Sequence, residues 1–292
     1  MPFGTAPILA PVDVGANPEA ALDWVTAVAR LTGRSVEIYF AAPHRTDEPL
    51  LREELVTLAR HAKKRLSDRP EIKITHTFEP KWDPSTAIIQ KAKAGGHSLI
   101  VQVTHERSAF KRLIHGSTTD EVISNSPCPV LAVPDDLPAP TGQPFKRILV
   151  ATDLGAIEPM ALAAQWAAAG RSALTYLSVV DSAHAHLPEL AMATDPEAQF
   201  EEVVEGARRS LNAFIHEHPE LKPSIPYDVR VRIGDSAKEI TRDVDEGGYD
   251  LVIAGHHQRG LLSRLLLGSV AEEVLHKADV PVLIVPEVKE ES

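Results

Sequence analysis

Apolar positions along the chain alternate between short continuous runs and longer periodic stretches. Runs such as ILAPVD (8–13) and ILVATD (148–153) are rich in aliphatic residues, which is typical of strands covered on both faces. The periodic stretches between them repeat apolar residues every three or four positions and predict amphipathic helices. A chain in which such strands and helices alternate is expected to form βαβ units around a parallel sheet.

The same order of elements occurs twice. The predicted strands are 8–13, 35–42, 72–78, 98–103 and 129–134, then 148–153, 172–180, 227–234, 250–255 and 281–286. The predicted helices are 19–32, 48–67, 85–94 and 117–126, then 158–169, 198–217, 236–247 and 269–278. We therefore expect two tandem α/β domains of the flavodoxin or Rossmann type. Each would be an open five-stranded parallel sheet with helices on both faces.

An internal repeat supports this division. Residues 96–134 align without a gap to residues 248–286 at an offset of 152, with 15 of 39 positions identical. The proline-rich stretch DDLPAPTGQPF (135–145) lies between the two copies and is typical of a linker. The sequence therefore predicts a first domain over 1–137 and a second over 145–292.

Composition narrows the partners. A length of 292 residues fits two domains at roughly 100–200 residues each. The formal net charge of -11 disfavours attraction to nucleic acid or an anionic membrane, although it allows a local basic pocket. We see no secretory signal, and no apolar run approaches the ~18 residues of a membrane span. The single Cys128 cannot form an internal disulfide, which fits a reducing compartment. We expect a cytoplasmic protein.

Candidate site residues follow the predicted strands of the second half. Asp153 ends its first strand and Gly255 closes its fourth, and open α/β sheets bind ligands at such carboxyl ends. Gly268-Ser269 then open a helix, whose first N–H groups suit a phosphate. His256 and Arg259 would add donors or charge from the intervening loop.

A second interpretation of the same residues needs no ligand. Ser269-x-x-Glu272 is a capping box, which by itself favours serine at a helix start. Four apolar residues of this helix would then form a buried stripe, namely Val270, Ala271, Val274 and Leu275. The residues alone leave the two interpretations open.

Other chemistries lack their usual residues. The sequence contains no Walker A loop, no Gly-x-Gly-x-x-Gly after the first strand and no nucleophile–base pair, so we predict no catalytic residue. Three pairs of neighbouring histidines occur at 184/186, 216/218 and 256/257. None has the closed ligand set that metal binding requires, so we predict no metal site.

The loop and helix between the last two predicted strands, 250–255 and 281–286, resemble the universal stress protein family. The family signature Gly-x2-Gly-x9-Gly-Ser/Thr corresponds here to Gly255, position 258, Gly268 and Ser269. GLLSRLLLGSVAEEVL and ADVPVLIVP resemble the family, as do TDLG at Asp153 and IGDSAKEI (233–240). The resemblance spans both halves, so the chain is identified as a tandem two-domain member.

This resemblance implies ATP, or ADP or AMP, in the second half, and leaves open whether Mg²⁺ accompanies it. Asp153 would hold the ribose or the adenine end, and Val179 would meet adenine through its backbone. Gly255 would border the ribose. The residues implied to line the phosphates are Gln258, Gly268, Ser269 and Val270. The family also implies an intramolecular pseudo-dimer in which PVLAVP meets PVLIVP, which would cover two apolar sheet edges. A further homodimer stays open.

The sequence also departs from the signature. Gln258 replaces the second glycine of the second half. In the first half, Val103 and Glu106 occupy the places of Gly255 and Gln258, so we expect a degenerate nucleotide site there. The leading hypothesis is a stress-response protein that binds an adenine nucleotide for sensing or regulation. The alternatives are a scaffold or a protein that binds a non-nucleotide ligand, and a slow ATP hydrolase.

Overall fold

The computed structural model describes residues 6–13, 18–42, 48–81, 83–104, 118–181, 195–256 and 269–286. The strands in these ranges are β1 Ile8–Pro11, β2 Val36–Ala42, β3 Ile74–Pro80, β4 Leu99–Thr104, β5 Val130–Pro134, β6 Arg147–Ala151, β7 Ala173–Asp181, β8 Tyr227–Gly234, β9 Leu251–His256 and β10 Val282–Pro286. The helices are α1 Pro18–Thr32, α2 Glu48–Arg65, α3 Pro84–Ala94, α4 Thr118–Asn125, α5 Glu158–Gly170, α6 Pro196–Glu217, α7 Ser236–Gly247 and α8 Ser269–Lys277.

The chain divides into two compact units. The first unit contains the chain up to Pro144, together with His256 and residues 279–286. Its sheet has the order β3-β2-β1-β4-β5, and all neighbours in that series are parallel. Strand β10 pairs with β5 antiparallel, with Val282 opposite Ala132 and Ile284 opposite Val130. The predicted meeting of the PVLAVP and PVLIVP strands is therefore confirmed.

The second unit contains residues 145–255 and 269–278. Its parallel strands have the order β9-β6-β7-β8. Chain order reverses at β6, because the next strand along the chain lies on one side of it and β9 lies on the other. Ligands of open α/β sheets bind outside the carboxyl ends of strands at such a reversal.

Apolar side chains from the strands and the helices fill the core of each unit. Every residue of β4 is buried, as are the first four residues of β9, which explains the continuous apolar runs in the sequence. In the second unit, Phe145 stacks on Trp166 with ring centroids 5.7 Å apart. Buried Tyr176 donates its hydroxyl to the carbonyl of Leu221, at the end of a short 3-10 helix that the pattern did not predict.

Cys128 is a small residue in the core of the first unit. Only 3% of it is exposed, and burial raises the pKa of its thiol to about 11. The Ser126 hydroxyl donates to the Cys128 carbonyl over 2.6 Å and closes the turn before β5. The thiol is therefore held neutral within the first unit at physiological pH.

The predicted α/β fold class is confirmed, and the differences lie at the ends of elements. Strands β1 and β6 stop at Pro11 and Ala151, two residues before the aspartates that the pattern placed within them. No helix in the described ranges is long and apolar enough to cross a membrane. The domain limits 1–137 and 145–292 stay a prediction.

Candidate functional site

Three adjacent strands of the second unit are aligned at the carboxyl edge of their sheet. Ala151 is the last residue of β6, and it pairs with Leu177 of β7 and with Ala254 of β9. The residues that follow on these three strands therefore lie next to one another, beyond the end of β6. They include three of the predicted site residues, which are Asp153, Val179 and Gly255.

A tight turn after β6 sets the direction of Asp153. The Leu154 amide donates to Thr152 Oγ1 over 3.0 Å, and the Gly155 amide donates to Asp153 Oδ1 over 2.9 Å. Leu154 has φ 65, a left-handed conformation that is uncommon for a residue with a side chain. Such strain costs on the order of 1 kcal/mol and is concentrated at functional sites. The turn presents an exposed carboxylate at the sheet edge.

The strand register shows which way the backbone groups of Val179 face. The Thr152 amide donates to the carbonyl of Leu177, so the backbone groups of Leu177 face β6. Residues two apart on a strand direct their backbone groups to the same neighbour, so those of Val179 face the same way. Strand β6 has already ended at this level. The Val179 backbone therefore faces the space above the Asp153 turn.

Gly255 and His256 complete strand β9. Gly255 is half-buried, and it lies one residue past the pairing with β6. His256 is only 2% exposed, which identifies it as a buried residue at the end of the strand. A glycine at this position adds no side chain at the end of the strand.

The start of helix α8 agrees with the sequence. The helix begins at Ser269, and the first-turn residues Ser269 and Val270 are exposed, Val270 by 37%. The buried residues of this helix are Ala271, Val274 and Leu275. Placing Val270 in the buried stripe was therefore wrong, because its side chain lies on the outer side of the first turn. The N–H groups of a helix's first turn lack partners within the helix, so they are available to an anion.

Several predicted residues lie outside the described ranges. They are Gln258, Arg259 and Gly268 of the second repeat, and Glu106 of the first. Sequence reasoning missed Thr152 and Leu154, which shape the turn around Asp153. The signal was present, because Thr-Asp-x-Gly after a strand is a sequence that favours a side-chain-capped turn.

The first repeat differs at the corresponding places. Val103 stands where the second repeat has Gly255, and it is 8% exposed. One residue earlier, Gln102 donates its amide to Thr119 Oγ1 over 3.0 Å, and both side chains are buried. The second repeat has the small residues Ala254 and Ala271 in their places. The carboxyl edge of the first repeat is therefore more filled than that of the second.

Metal ligands are not clustered in the part of the chain that the structure describes. No group of three or more His, Cys, Asp or Glu side chains there could hold a metal ion. His216 lies 3.1 Å from Lys222 Nζ through its Nδ1, and His218 lies 3.3 Å from Glu220 through its Nδ1. His184, His186 and His257 lie outside the described ranges.

These features define a tandem α/β protein with a candidate ligand site at the strand-order reversal of its second repeat. The family model described as "Universal stress protein family" matches residues 5–134 and again residues 144–286. The chain belongs to the universal stress protein family, and each repeat is one family domain.

Individual proteins that are similar to this chain include universal stress and stress response proteins. A universal stress protein of Mycobacterium tuberculosis is 28% identical over 189 residues, a match that covers 64% of this chain and 61% of the relative. A stress response protein of Bacillus subtilis is 30% identical over 103 residues, covering 34% of this chain and 57% of the relative. The chain thus spans less than two thirds of these relatives' length. The structure of a universal stress protein from Archaeoglobus fulgidus shares the fold, with a TM-score of 0.70, 20% identity and 99% coverage of each chain.

Proposed function

We propose that the second repeat binds ATP or a related adenine nucleotide, and that the protein acts in sensing or regulation rather than in fast chemistry. The observation that carries this proposal is the juxtaposition of Asp153, the Val179 backbone and Gly255 at the carboxyl edge of one sheet. A carboxylate suits ribose hydroxyls, strand backbone groups suit the adenine edge, and a glycine permits close approach.

The phosphates would lie at the start of helix α8. Ser269 and Val270 expose the first turn of that helix, where amide groups and the helix dipole favour an anion. The family signature adds Gln258 and Gly268 to this part of the proposed site, and the sequence adds Arg259 from the loop. His256 lies at the buried end of β9 rather than in the loop, and it belongs to the proposed site only as a neighbour of Gly255. Mg²⁺ could accompany a triphosphate by binding its oxygens, with few protein ligands of its own.

The first repeat is proposed to bind no nucleotide. Val103 would occupy space beside the turn that follows β1, and the Gln102–Thr119 pair replaces two alanines below the helix start. The proposal therefore assigns one nucleotide to each chain, in the second repeat. It also assigns a cytoplasmic location, which is consistent with a single buried and neutral thiol.

The ligand carried by purified protein tests this function. We expect denaturation of freshly purified protein to release an adenine nucleotide that mass spectrometry identifies. Empty protein that also fails to bind added ATP would contradict the proposal. Release of an apolar small molecule would favour the alternative of a protein that binds a non-nucleotide ligand. Phosphate production that disappears in Asp153→Ala would favour a slow hydrolase.

A further inference from the structure

Helix α3 contacts the first sheet through a charged cluster. Lys91 Nζ lies 2.8 Å from Glu37 Oε1 on β2, and Thr77 Oγ1 on β3 donates to the same oxygen over 2.5 Å. His97 Nε2 lies 3.0 Å from Glu37 Oε2. The Lys91 and Glu37 side chains are 21% and 16% exposed. Glu79 lies two residues after Thr77 on β3 and therefore on the same face of the strand. We call these residues, Glu37, Thr77, Glu79, Lys91 and His97, the first network.

Helix α7 contacts the second sheet through a comparable cluster. Asp243 is 0% exposed, and its Oδ1 lies 2.5 Å from Arg232 Nη2 on β8. Arg230 Nη1 lies 3.4 Å from Asp243 Oδ2. Tyr249 donates its hydroxyl to Thr175 Oγ1 on β7 over 2.9 Å. We call these five residues the second network.

The network residues on each helix and just after it are equivalent in sequence. The offset of 152 that relates the repeats places Lys91 on Asp243 and His97 on Tyr249. The apolar contacts of the two helices also correspond, because Ile88 and Ile240 occupy the same position and are both buried. Apolar burial alone therefore distinguishes the two helices poorly.

The strand positions are equivalent in register. Glu37 pairs with Leu9 of β1, and Thr175 pairs with Leu149, the matching residue of β6. The His97–Glu37 contact and the Tyr249–Thr175 hydrogen bond therefore occupy the same place in the two repeats.

The neighbouring strands extend this correspondence. Two residues further along, Thr77 lies opposite Tyr39, and Arg230 lies opposite Leu177. Position Thr77 therefore corresponds to Arg230, and Glu79 corresponds to Arg232, the next residue on the same face.

The charges of the two networks are inverted. In the first repeat the sheet carries the acid and the helix carries the base, whereas in the second repeat the sheet carries two arginines and the helix carries the acid. If α7 docked on the first sheet, Asp243 would face Glu37. If α3 docked on the second sheet, Lys91 would face Arg230 and Arg232. Like charges that are largely shielded from water repel strongly.

We propose that the two networks make each helix specific for its own sheet, and so exclude exchange of α3 and α7 between repeats of one chain or of two copies. Tandem domains of similar sequence are prone to misassembly and domain swapping. The inference goes beyond nucleotide binding and does not depend on it.

Two variants of the full chain test this inference. The identical-network variant gives the first repeat the charges of the second, through Glu37→Thr, Thr77→Arg, Glu79→Arg and Lys91→Asp. The exchanged-network variant adds the reciprocal changes Thr175→Glu, Arg230→Thr, Arg232→Glu and Asp243→Lys. The exchanged variant has the same composition and net charge as the natural chain, and its two networks again differ in sign.

Each protein is refolded from urea at low and high concentration, and the monomer fraction is measured by size-exclusion chromatography with light scattering. We expect the identical-network variant to lose monomer in favour of dimers and larger species as concentration rises. We expect the exchanged-network variant to refold like the natural chain. Loss of monomer in the first variant alone supports the inference. Equal refolding of both variants, or failure of the exchanged variant, overturns it.

Discussion

At the residue scale, one position distinguishes the candidate site from its counterpart in the first repeat. Asp153 is directed by a turn that includes a strained Leu154, and Gly255 leaves the neighbouring strand end without a side chain. The first repeat keeps an exposed Asp13 after β1 but has Val103 in the place of the glycine. The next-to-last residue of the fourth strand of each repeat therefore distinguishes the proposed site from its counterpart.

Gly255→Val is predicted to abolish nucleotide binding by the second repeat. The change installs the residue that the first repeat has at this place, and its methyl groups would occupy the space beside the Asp153 turn. Isothermal titration with ATP measures the effect, and Val103→Ala is the matched control, which is expected to bind as the natural chain does. If Gly255→Val binds ATP as tightly as the natural chain does, the glycine is not part of the site.

The lowered pKa of Glu37 predicts that the stability of the protein depends on pH. Burial opposes its ionisation, but hydrogen bonds from Lys91 and Thr77 and the nearby charges outweigh burial, so the pKa of Glu37 is lowered. The unfolded chain therefore takes up this proton more readily than the folded chain. The stability from Glu37 is complete above the unfolded pKa of about 4.3 and is lost as pH falls through the lower folded pKa.

Glu37→Gln should therefore make the protein less stable at neutral pH and flatten the fall of its melting temperature in acid. Thermal melts between neutral pH and about pH 3, across the unfolded pKa range of a glutamate, measure this slope. Glu54→Gln changes an exposed glutamate of α2 and is the control. An acid slope of Glu37→Gln equal to that of the natural chain would contradict the assignment.

At the element scale, most boundaries were predictable because local patterns set them. Strand β8 and helix α7 begin and end where the sequence placed them, since YDVRVRIG is a continuous strand pattern and Asp235 caps the helix. The 3-10 helix at Pro219–Leu221 was not predictable, because Leu221 is held there by Tyr176, a contact between distant residues. The exposure of Val270 was also not predictable. The hydrophobic pattern predicts that a helix forms, but it does not show which side of the first turn packs against the rest of the protein.

The docking of α7 on β8 gives a prediction at this scale. Arg232→Met would leave the fully buried Asp243 with only the longer contact to Arg230, and breaking a buried ion pair costs about 3 kcal/mol. The free energy of unfolding in urea should fall by about that amount. Arg242→Met removes a 59% exposed arginine of the same helix and should cost about 1 kcal/mol or less. Equal losses in the two variants would show that the Asp243 contact contributes little.

At the scale of the whole molecule, the chain combines two similar domains with unlike sites and unlike charge networks. The repeat and the α/β fold were predictable from sequence, because they depend on apolar periodicity and on internal identity. The pairing of β5 with β10 was expected only from the family resemblance. The charge inversion was not, because it depends on which strand residues face α3 and α7. Duplication followed by divergence of this kind predicts one functional nucleotide site for each chain.

The stoichiometry of nucleotide binding tests that account most directly. Isothermal titration of the natural chain with ATP should give one site per chain. Asp153→Ala should remove that site, whereas Asp13→Ala, the matching change in the first repeat, should leave it intact. Two sites per chain, no site, or loss of binding in Asp13→Ala with retention in Asp153→Ala would contradict the account.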